Sequence, residues 1–408
     1  MDTSFKSFYM VYEWLLSAVG QWPYQTKLKR ICLSIFAYIS IISLLIPELL
    51  GLKKYWGNVD IVIQCIPPII VIIIVLCLLT NGIIKIEKME LIIKKMKTDW
   101  NFWTTDLNID SLQDYVKSGK SLDLMFMYIV CVLATLYISM PITPLILNII
   151  LPLNQTRTKQ SLYFTDYYLN EEKYYYWTLI HGCISSSIVI VVLVSIETMF
   201  SAVIIHACRI FSILGIKLKN IVNDDSNDGV IDKKRLPQKI DEDIKIFVKK
   251  HMEILEFVYT EKNLLLNQQH FCFVDDICDF FSTPLLVVLA CNTILISVTG
   301  VQTVIKLHKF NEALRFGSFT ISQIFNLLYL NIPCQQLIDH SIDISNSIYN
   351  GYWYQLSSES QKMLLMIMRR SSRPSEFTAG KLYTYSISNF ASILRMSMSY
   401  FTMLSSVR

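Results

Sequence analysis

The stretch VDIVIQCIPPIIVIIIVLCLLT, Val59 to Thr80, holds one acidic residue and no basic residue in 22 positions. An α-helix needs about 20 such apolar residues to cross the hydrocarbon core of a bilayer. The composition agrees, since 17% of the chain is charged and 53% is hydrophobic, whereas about a quarter of an ordinary soluble domain is charged. The sequence therefore predicts an integral membrane protein.

Further stretches of similar length predict an all-α, polytopic protein with seven transmembrane helices. We divide it into 1–205 with spans one to four, a cytoplasmic helical loop at 206–270, and 271–408 with spans five to seven. Proline pairs at 67–68 and at 141 and 144 predict kinks in spans two and three, and the last two spans are rich in polar residues. The other spans are Ile31 to Leu52, Leu122 to Asn148, Trp177 to Ile205, Phe271 to Gly300, Phe316 to Ile338 and Leu382 to Leu404.

Basic residues in the connecting segments predict the orientation. Before span one and after spans two, four and six we count 27 Lys and Arg residues, against 9 in the other connections and the carboxyl terminus. The positive-inside rule then places the amino terminus in the cytoplasm and the carboxyl terminus outside, opposite to a G-protein-coupled receptor. The sequon that starts at Asn154 falls in a connection that this topology puts outside, so we expect Asn154 to be glycosylated.

The last span carries polar residues along one helical face, at spacings of three and four. A polar stripe on an apolar helix indicates a water-lined path, although small serines at this spacing also favour close helix packing. One such helix cannot enclose a pore, so several subunits are implied. We expect Arg395 to point to a carboxylate of another subunit or to a subunit seam, or to be tolerated because few subunits carry it. The stripe is Ser388, Ser392, Arg395, Ser399, Thr402 and Ser406.

Other polar groups were weighed as candidate sites. Asp275, Asp276 and Asp279 begin span five, where they either have a functional role or form ion pairs with basic residues of the loops. Glu197 lies deeper, in span four, and must face a partner, a cavity or water. Neither a phosphate-binding glycine loop nor a nucleophile elbow nor clustered metal ligands occur in the sequence. We expect no enzyme, no metal or other cofactor and no nucleic-acid partner.

The segment from Ile348 to Val407 resembles the carboxyl-terminal signature of insect odorant receptors. It reads IYNGYWYQLSSESQKMLLMIMRRSSRP and then FASILRMSMSYFTMLSS, with the aromatic cluster at 352–354 and a basic pair before a proline. The amino-terminal VGQWP, Val19 to Pro23, is also similar to these receptors. A gustatory-type receptor channel or a polytopic transporter are the alternatives, but the Thr-Tyr run that closes gustatory receptors is missing.

The resemblance implies an odorant-gated, nonselective cation channel in the plasma membrane of a sensory neuron. It implies a heterotetramer with the shared odorant-receptor coreceptor, and a central pore lined by the last helix. The coreceptor is expected to have a longer loop between spans four and five, so this chain resembles a ligand-selective subunit. Its pore and gate residues, by the same resemblance, are Ser399, Met403, Ser406 and Val407.

The resemblance also implies a pocket for a small volatile organic ligand in the outer half of the bundle. Any one of the candidate residues is commonly plain helix packing, and we expect about half of them to touch the ligand. His181 or Thr320 is the expected polar contact. The candidates are Cys65, Ile66, Tyr137, Ile138, Met140, His181, Ile184, Ser185, Ile188, Phe316, Phe319, Thr320 and Gln323.

Overall fold

The computed structural model describes residues 3–104, 109–151, 157, 159–223, 241–242, 244–248, 250–251 and 273–406. Within these residues the chain forms helices and one short β-hairpin, which confirms the all-α class. Five helical stretches are long and apolar enough to cross a membrane: 27–54, 59–84, 119–139, 172–219 and 276–305. The last two predicted spans are not among the five, as their polar content led us to expect.

The amino-terminal part of the described chain contains seven helices. α3 begins after Asn58, whose side chain accepts a hydrogen bond from the backbone N–H of Ile61 at 3.3 Å, an ordinary N-terminal cap. It continues as one helix past Pro67 and Pro68, where the sequence predicts a kink. The helices are α1 Thr3–Ala18, α2 Lys27–Lys54, α3 Val59–Ile84, α4 Ile86–Thr104, α5 Ile109–Ser139, α6 Thr143–Ile150 and α7 Glu171–Asn223.

The third predicted span is divided in two. α5 ends at Ser139 and α6 begins at Thr143, with a turn between them. Pro141 lies in this turn and has no N–H to donate to a continuing helix. Pro144 lies in the first turn of α6, where an N–H would have no partner inside the helix. The expectation of one continuous span from Leu122 to Asn148 is therefore corrected, because the prolines end one helix and begin another.

The carboxyl-terminal part adds four helices, a 3-10 turn and the hairpin. The strands pair antiparallel, with Thr378 opposite Thr384 and Ala379 opposite Tyr383. The last helix therefore begins at Ile387, five residues after the predicted start at Leu382. The elements are α8 Phe273–Ile305, α9 Phe310–Tyr349, the 3-10 turn Trp353–Gln355, α10 Ser358–Ser371, β1 Thr378–Ala379, β2 Tyr383–Thr384 and α11 Ile387–Ser406.

α7 forms the centre of the bundle together with α8 and α9. It has 53 residues, so it is about 80 Å long at 1.5 Å per residue and extends well past the predicted span. Phe200 of α7 is fully buried between Phe281 of α8 and Phe377, with ring centres 5.2 and 4.8 Å away. Aromatic packing of this kind stabilises a helix interface beyond the area that it buries.

The hairpin fixes the start of α11 against α8. Gly380 has a φ of +58°, which glycine adopts without steric cost. Its N–H donates to Ser282 Oγ at 2.7 Å, and the Tyr385 hydroxyl donates to the Leu285 carbonyl at 2.9 Å. At the predicted cytoplasmic side, helical residues within 241–251 contact the start of α10, where Ser357 donates to Asp241 at 2.8 Å. Residues 252–272 of the predicted cytoplasmic loop lie outside the described residues.

Candidate ligand cavity and polar helix

A cavity of about 140 Å³ lies among α2, α3, α5, α7 and α9. Most of its wall is apolar, with Val71 from α3, Leu133 from α5, Val189 and Leu193 from α7, and Phe319 from α9. Apolar walls hold small organic molecules by dispersion and shape. An engineered cavity of about 150 Å³ takes up benzene, so the volume suits a ligand of that order of size.

The connection between α6 and α7 covers the cavity. The N–H of Asp166 donates to the Pro47 carbonyl at 2.9 Å, which ties the connection to α2. Tyr163 forms part of the cavity wall, and its hydroxyl lies 2.7 Å from Ser186 Oγ on α7. The connection approaches α2 closely at Gly51, where a Cβ atom would lie 2.1 Å from a backbone carbonyl oxygen. The absence of a side chain at Gly51 therefore allows the connection between α6 and α7 to pack against α2.

Glu48 of α2 is an acidic residue in the cavity wall. It is 2% exposed, and neither carboxylate oxygen has a hydrogen-bond partner in the part of the chain that the structure describes. Burying a polar group without a partner costs several kcal/mol in an apolar environment. The sequence did not single out Glu48, because it lies near the end of its predicted span, where an acid is commonly interfacial.

The predicted ligand residues divide into two groups. Tyr137 and Ile138 of α5 and Phe319 and Gln323 of α9 line the cavity. The other nine do not. Three of them belong to α3 and the turn after α5, four to α7 and two to α9: Cys65, Ile66, Met140, His181, Ile184, Ser185, Ile188, Phe316 and Thr320.

The four α7 candidates lie outside the cavity wall because of helix geometry. Ile184 is 54% exposed on the outside of the bundle, whereas the neighbouring residues Ser186 and Val189 line the cavity. Successive residues in an α-helix are rotated by about 100°, so an error of one position moves a side chain to another face. Helical periodicity defined the faces of α7 but not which of them faces the cavity.

The two expected polar contacts have partners within the protein. His181 Nδ1 lies 2.9 Å from the Tyr167 hydroxyl, and its Nε2 lies 3.0 Å from Ser43 Oγ. Thr320 Oγ1 lies 2.7 Å from Thr299 Oγ1, which joins α9 to α8. Both side chains therefore contribute to helix contacts rather than to the cavity wall.

The predicted stripe of α11 lies on the exposed face of the helix. Ser388, Ser392, Arg395, Ser399 and Thr402 are all exposed. The opposite face packs on the bundle, where Ile393 and Ser397 are buried and a Cβ atom at Gly300 of α8 would lie 3.6 Å from Phe401. Met403 is 59% exposed, while the side chain of Ser406 and the whole of Val407 lie outside the described residues.

Comparisons with known proteins identify the family. The model of the family described as 7tm Odorant receptor matches residues 67–398. The chain belongs to this family. Odorant receptor Or2 of Anopheles gambiae is 24% identical over 40% of this chain and 38% of its own length, and Odorant receptor 10 of Aedes albopictus is 36% identical over 21% and 22%. The aligned segment thus spans less than half of either relative.

A solved structure shows that the receptor shares its fold with a relative. The insect olfactory receptor OR5 from Machilis hrabei, in complex with eugenol, superposes with a TM-score of 0.75 and 12% sequence identity. The match covers 99% of this receptor and 98% of that chain. The likeness establishes a seven-transmembrane odorant-receptor fold, including the two polar spans that hydropathy alone does not find.

Two polar networks lie inside the receptor. Asn326 of α9 donates to Glu197 Oε2 of α7 at 2.6 Å, and Asn292 of α8 donates to Asn326 Oδ1 at 3.0 Å. Glu197 follows the cavity residue Leu193 by one helical turn, and Asn326 likewise follows Gln323. We call Glu197, Asn326 and Asn292 the polar relay, because it joins two cavity helices to α8.

The second network surrounds Asp123 of α5, which is 1% exposed. Its carboxylate accepts hydrogen bonds from the hydroxyls of Tyr12 of α1, Ser201 of α7 (2.6 Å) and Tyr329 of α9 (2.7 Å). Phe126 stacks on Tyr329 with ring centres 3.7 Å apart. This cluster ties α1 and three long helices together, and the sequence analysis did not single out Asp123 because it lies beside the predicted start of its span.

The acidic start of α8 forms ion pairs with α4. Asp276 lies 2.6 Å from Lys95 Nζ, and Asp279 contacts Lys88 and lies 3.6 Å from Lys85 Nζ. These contacts favour the reading of the acids as ion-pair partners. The side chain of Asp275 and all of Asn154 lie outside the described residues. Within the described part of the receptor, no group of three or more His, Cys, Asp or Glu side chains is arranged to hold a metal ion.

Proposed function

We propose that this receptor is the ligand-selective subunit of an odorant-gated cation channel. It acts in the plasma membrane of a sensory neuron, as a heterotetramer with the odorant-receptor coreceptor. Its amino terminus lies in the cytoplasm and its carboxyl terminus outside. A small volatile ligand occupies the cavity, and the exposed polar stripe of α11 lines the pore.

The covered, largely apolar cavity is the observation that carries the proposal. It lies between helices that belong to the bundle core, so a ligand there contacts α2, α3, α5, α7 and α9 at once. A ligand shifts a conformational equilibrium only by its difference in affinity for the two states, and a site shared by five helices offers such a difference. The exposed face of α11 supports a pore, because its Ser, Thr and Arg side chains have no covering helix within the described chain.

Two phenylalanines on α9 provide the test. Phe319 lines the cavity, whereas Phe316 is buried outside its wall at 4% exposure. With the coreceptor coexpressed, Phe319→Ala should raise the odorant concentration for half-maximal current about tenfold or more, because it removes apolar contact with the ligand, and burying a Phe side chain contributes roughly 1.5–3 kcal/mol. Phe316→Ala should change surface expression more than sensitivity. Equal dose-response curves for both variants, normalised to surface protein, would contradict the cavity assignment.

An epitope tag tests the orientation. A tag at the carboxyl terminus should bind antibody on intact cells, because the positive-inside rule puts this end outside. A tag at the amino terminus is the matched control and should require permeabilisation. Staining of the carboxyl-terminal tag only after permeabilisation would overturn the orientation and with it the assignment of the cavity to the outer side.

A further inference from the structure

The cavity wall combines an acid without a partner and a group of aromatic rings. From this combination we infer that the receptor recognises a small amine, whose basic nitrogen pairs with Glu48 while its apolar body fills the rest of the cavity. The inference rests on the proposed function, because it names the ligand class of the same cavity.

Glu48 differs from the other acids in the helical core. Among the described residues, three acidic side chains are 2% exposed or less: Glu48, Asp123 and Glu197. Asp123 accepts from three hydroxyls and Glu197 from an Asn amide. Neither oxygen of Glu48 has a partner within the described chain. Buried polar groups in proteins are nearly always hydrogen-bonded, so a carboxyl left unpaired in a cavity wall fits a ligand that supplies the missing donor.

Aromatic rings in the wall favour a cationic donor. The ring centres of Tyr137 and Tyr163 are 6.1 Å apart, and those of Tyr137 and Phe319 are 6.4 Å apart. Ring faces attract an ammonium group, and more strongly where water is excluded. A carboxylate that shares a cavity wall with three aromatic rings is therefore suited to an ammonium group, with the proton supplied either by the dissolved ligand or by the carboxyl.

Among the described residues, no Lys or Arg side chain forms an ion pair with Glu48. The Arg315 guanidinium carbon lies 5.7 Å from the centre of the Tyr137 ring. Arg315 is not part of the cavity wall and is beyond the 4.0 Å ion-pair distance from Glu48. It packs on the aromatic group from outside the cavity, which leaves the carboxyl of Glu48 to a ligand.

The ligand is further limited by size and by chemistry. A cavity of about 140 Å³ holds roughly six to ten heavy atoms, by comparison with the benzene-sized cavity of about 150 Å³. A neutral alcohol can also donate to a carboxylate, but it brings no positive charge to offset the buried negative charge, as an ammonium group does. A primary or secondary amine with a small aromatic or aliphatic body is the class that fits.

Current recording with matched ligands tests the inference. We would express the receptor with the coreceptor and apply benzylamine, benzyl alcohol and ethylbenzene, then hexylamine and hexanol, so that each skeleton is tested with and without nitrogen. The amines should be effective at concentrations about tenfold lower than the alcohols. Glu48→Gln should abolish this advantage, because the amide oxygen still accepts a hydrogen bond but carries no charge, and Glu48→Asp should restore part of it. The exposed Glu172 of α7 gives the charge control, and Glu172→Gln should change nothing.

The outcomes separate the inference from the proposed function. One outcome is that neutral volatiles open the channel but no amine acts at a lower concentration than the alcohol of the same skeleton. In that case the amine inference fails and the proposed function stands. The inference is also overturned if Glu48→Gln reduces amine and alcohol responses equally, since Glu48 would then be structural. If no volatile opens the channel, the proposed function fails. The inference is then decided by thermal denaturation of the purified receptor, which benzylamine should stabilise and which it should not stabilise in Glu48→Gln.

Discussion

Removal of the Asp123 carboxylate should destabilise the receptor, and the number of hydrogen bonds that it accepts sets the expected range of the loss. Asp123→Ala removes one acceptor and three hydrogen bonds, those from Tyr12, Ser201 and Tyr329. Hydrogen bonds between membrane helices contribute about 0.6 kcal/mol on average and up to about 1.7. Three of them give a loss of about 2–5 kcal/mol. The loss falls at the junction of α1, α5, α7 and α9, so the whole bundle should unfold more easily.

Thermal denaturation of the receptor in detergent, followed by size-exclusion chromatography, measures this loss. Tyr329→Phe deletes a single donor and should cost about 0.6–1.7 kcal/mol. The matched control is Tyr349→Phe on the same helix, because Tyr349 is 68% exposed and its hydroxyl should contribute little.

A double-mutant cycle decides whether the network is the cause. In the Asp123→Ala background the hydroxyl of Tyr329 has lost its acceptor, so Tyr329→Phe should be neutral or stabilising there. If Tyr329→Phe costs the same in both backgrounds, the two side chains are not coupled. The reasoning from the hydrogen bonds would then be refuted, whatever the size of the single-mutant effects.

Two further predictions concern gating and pH. Asn326→Leu removes the hydrogen bonds of the polar relay between the cavity helices and α8. It should raise the odorant concentration for half-maximal current without loss of surface protein. Unchanged dose-response curves would contradict a role of the relay in coupling ligand binding to channel opening. Burial and the charge of Arg370 lower the pKa of His251 to about 3, so the folded receptor keeps His251 neutral. Stability should fall below pH 6.5, where only the unfolded chain takes up the proton, by about 1.4 kcal/mol at pH 5.5, and His251→Gln should lack this loss in thermal denaturation.

The membrane spans were predictable because the sequence carries their physical cause directly. A helix such as α3 needs a long apolar run and a cap, and both are local features of the chain. The polar stripe of α11 was likewise predictable as one face, and the structure exposes that face. What the local pattern did not contain was the break at Pro141, since a proline pair is compatible with either a bend or an interruption.

The cavity was only partly predictable because its wall is made by helices far apart in sequence. Tyr163 comes from the connection before α7 and faces the cavity only because the connection folds over α2. Such a placement depends on tertiary contacts, for which helical periodicity carries no information. Glu48 posed the opposite difficulty: its position near the end of a span reads as an ordinary interfacial acid, and only the packing around it reveals that it is buried.

The same packing explains how a ligand in the cavity can act on α11 without touching it. α8 is joined to the cavity helices by the polar relay at Asn292, and it holds the hairpin before α11 through Ser282 and the Leu285 carbonyl. Farther along α8, Gly300 lies against Phe401 of α11, where an added Cβ atom would lie 3.6 Å from the ring. In the proposed channel we expect a shift of α7 or α9 on ligand binding to reach α8, which contacts α11 near both of its ends. The cavity helix α9 also contacts α11 directly, because the Ile387 N–H donates to Gln335 Oε1 at 3.2 Å. Packed helices move as rigid elements between discrete arrangements, so α8 and α9 are the two elements that connect the cavity helices to the polar stripe.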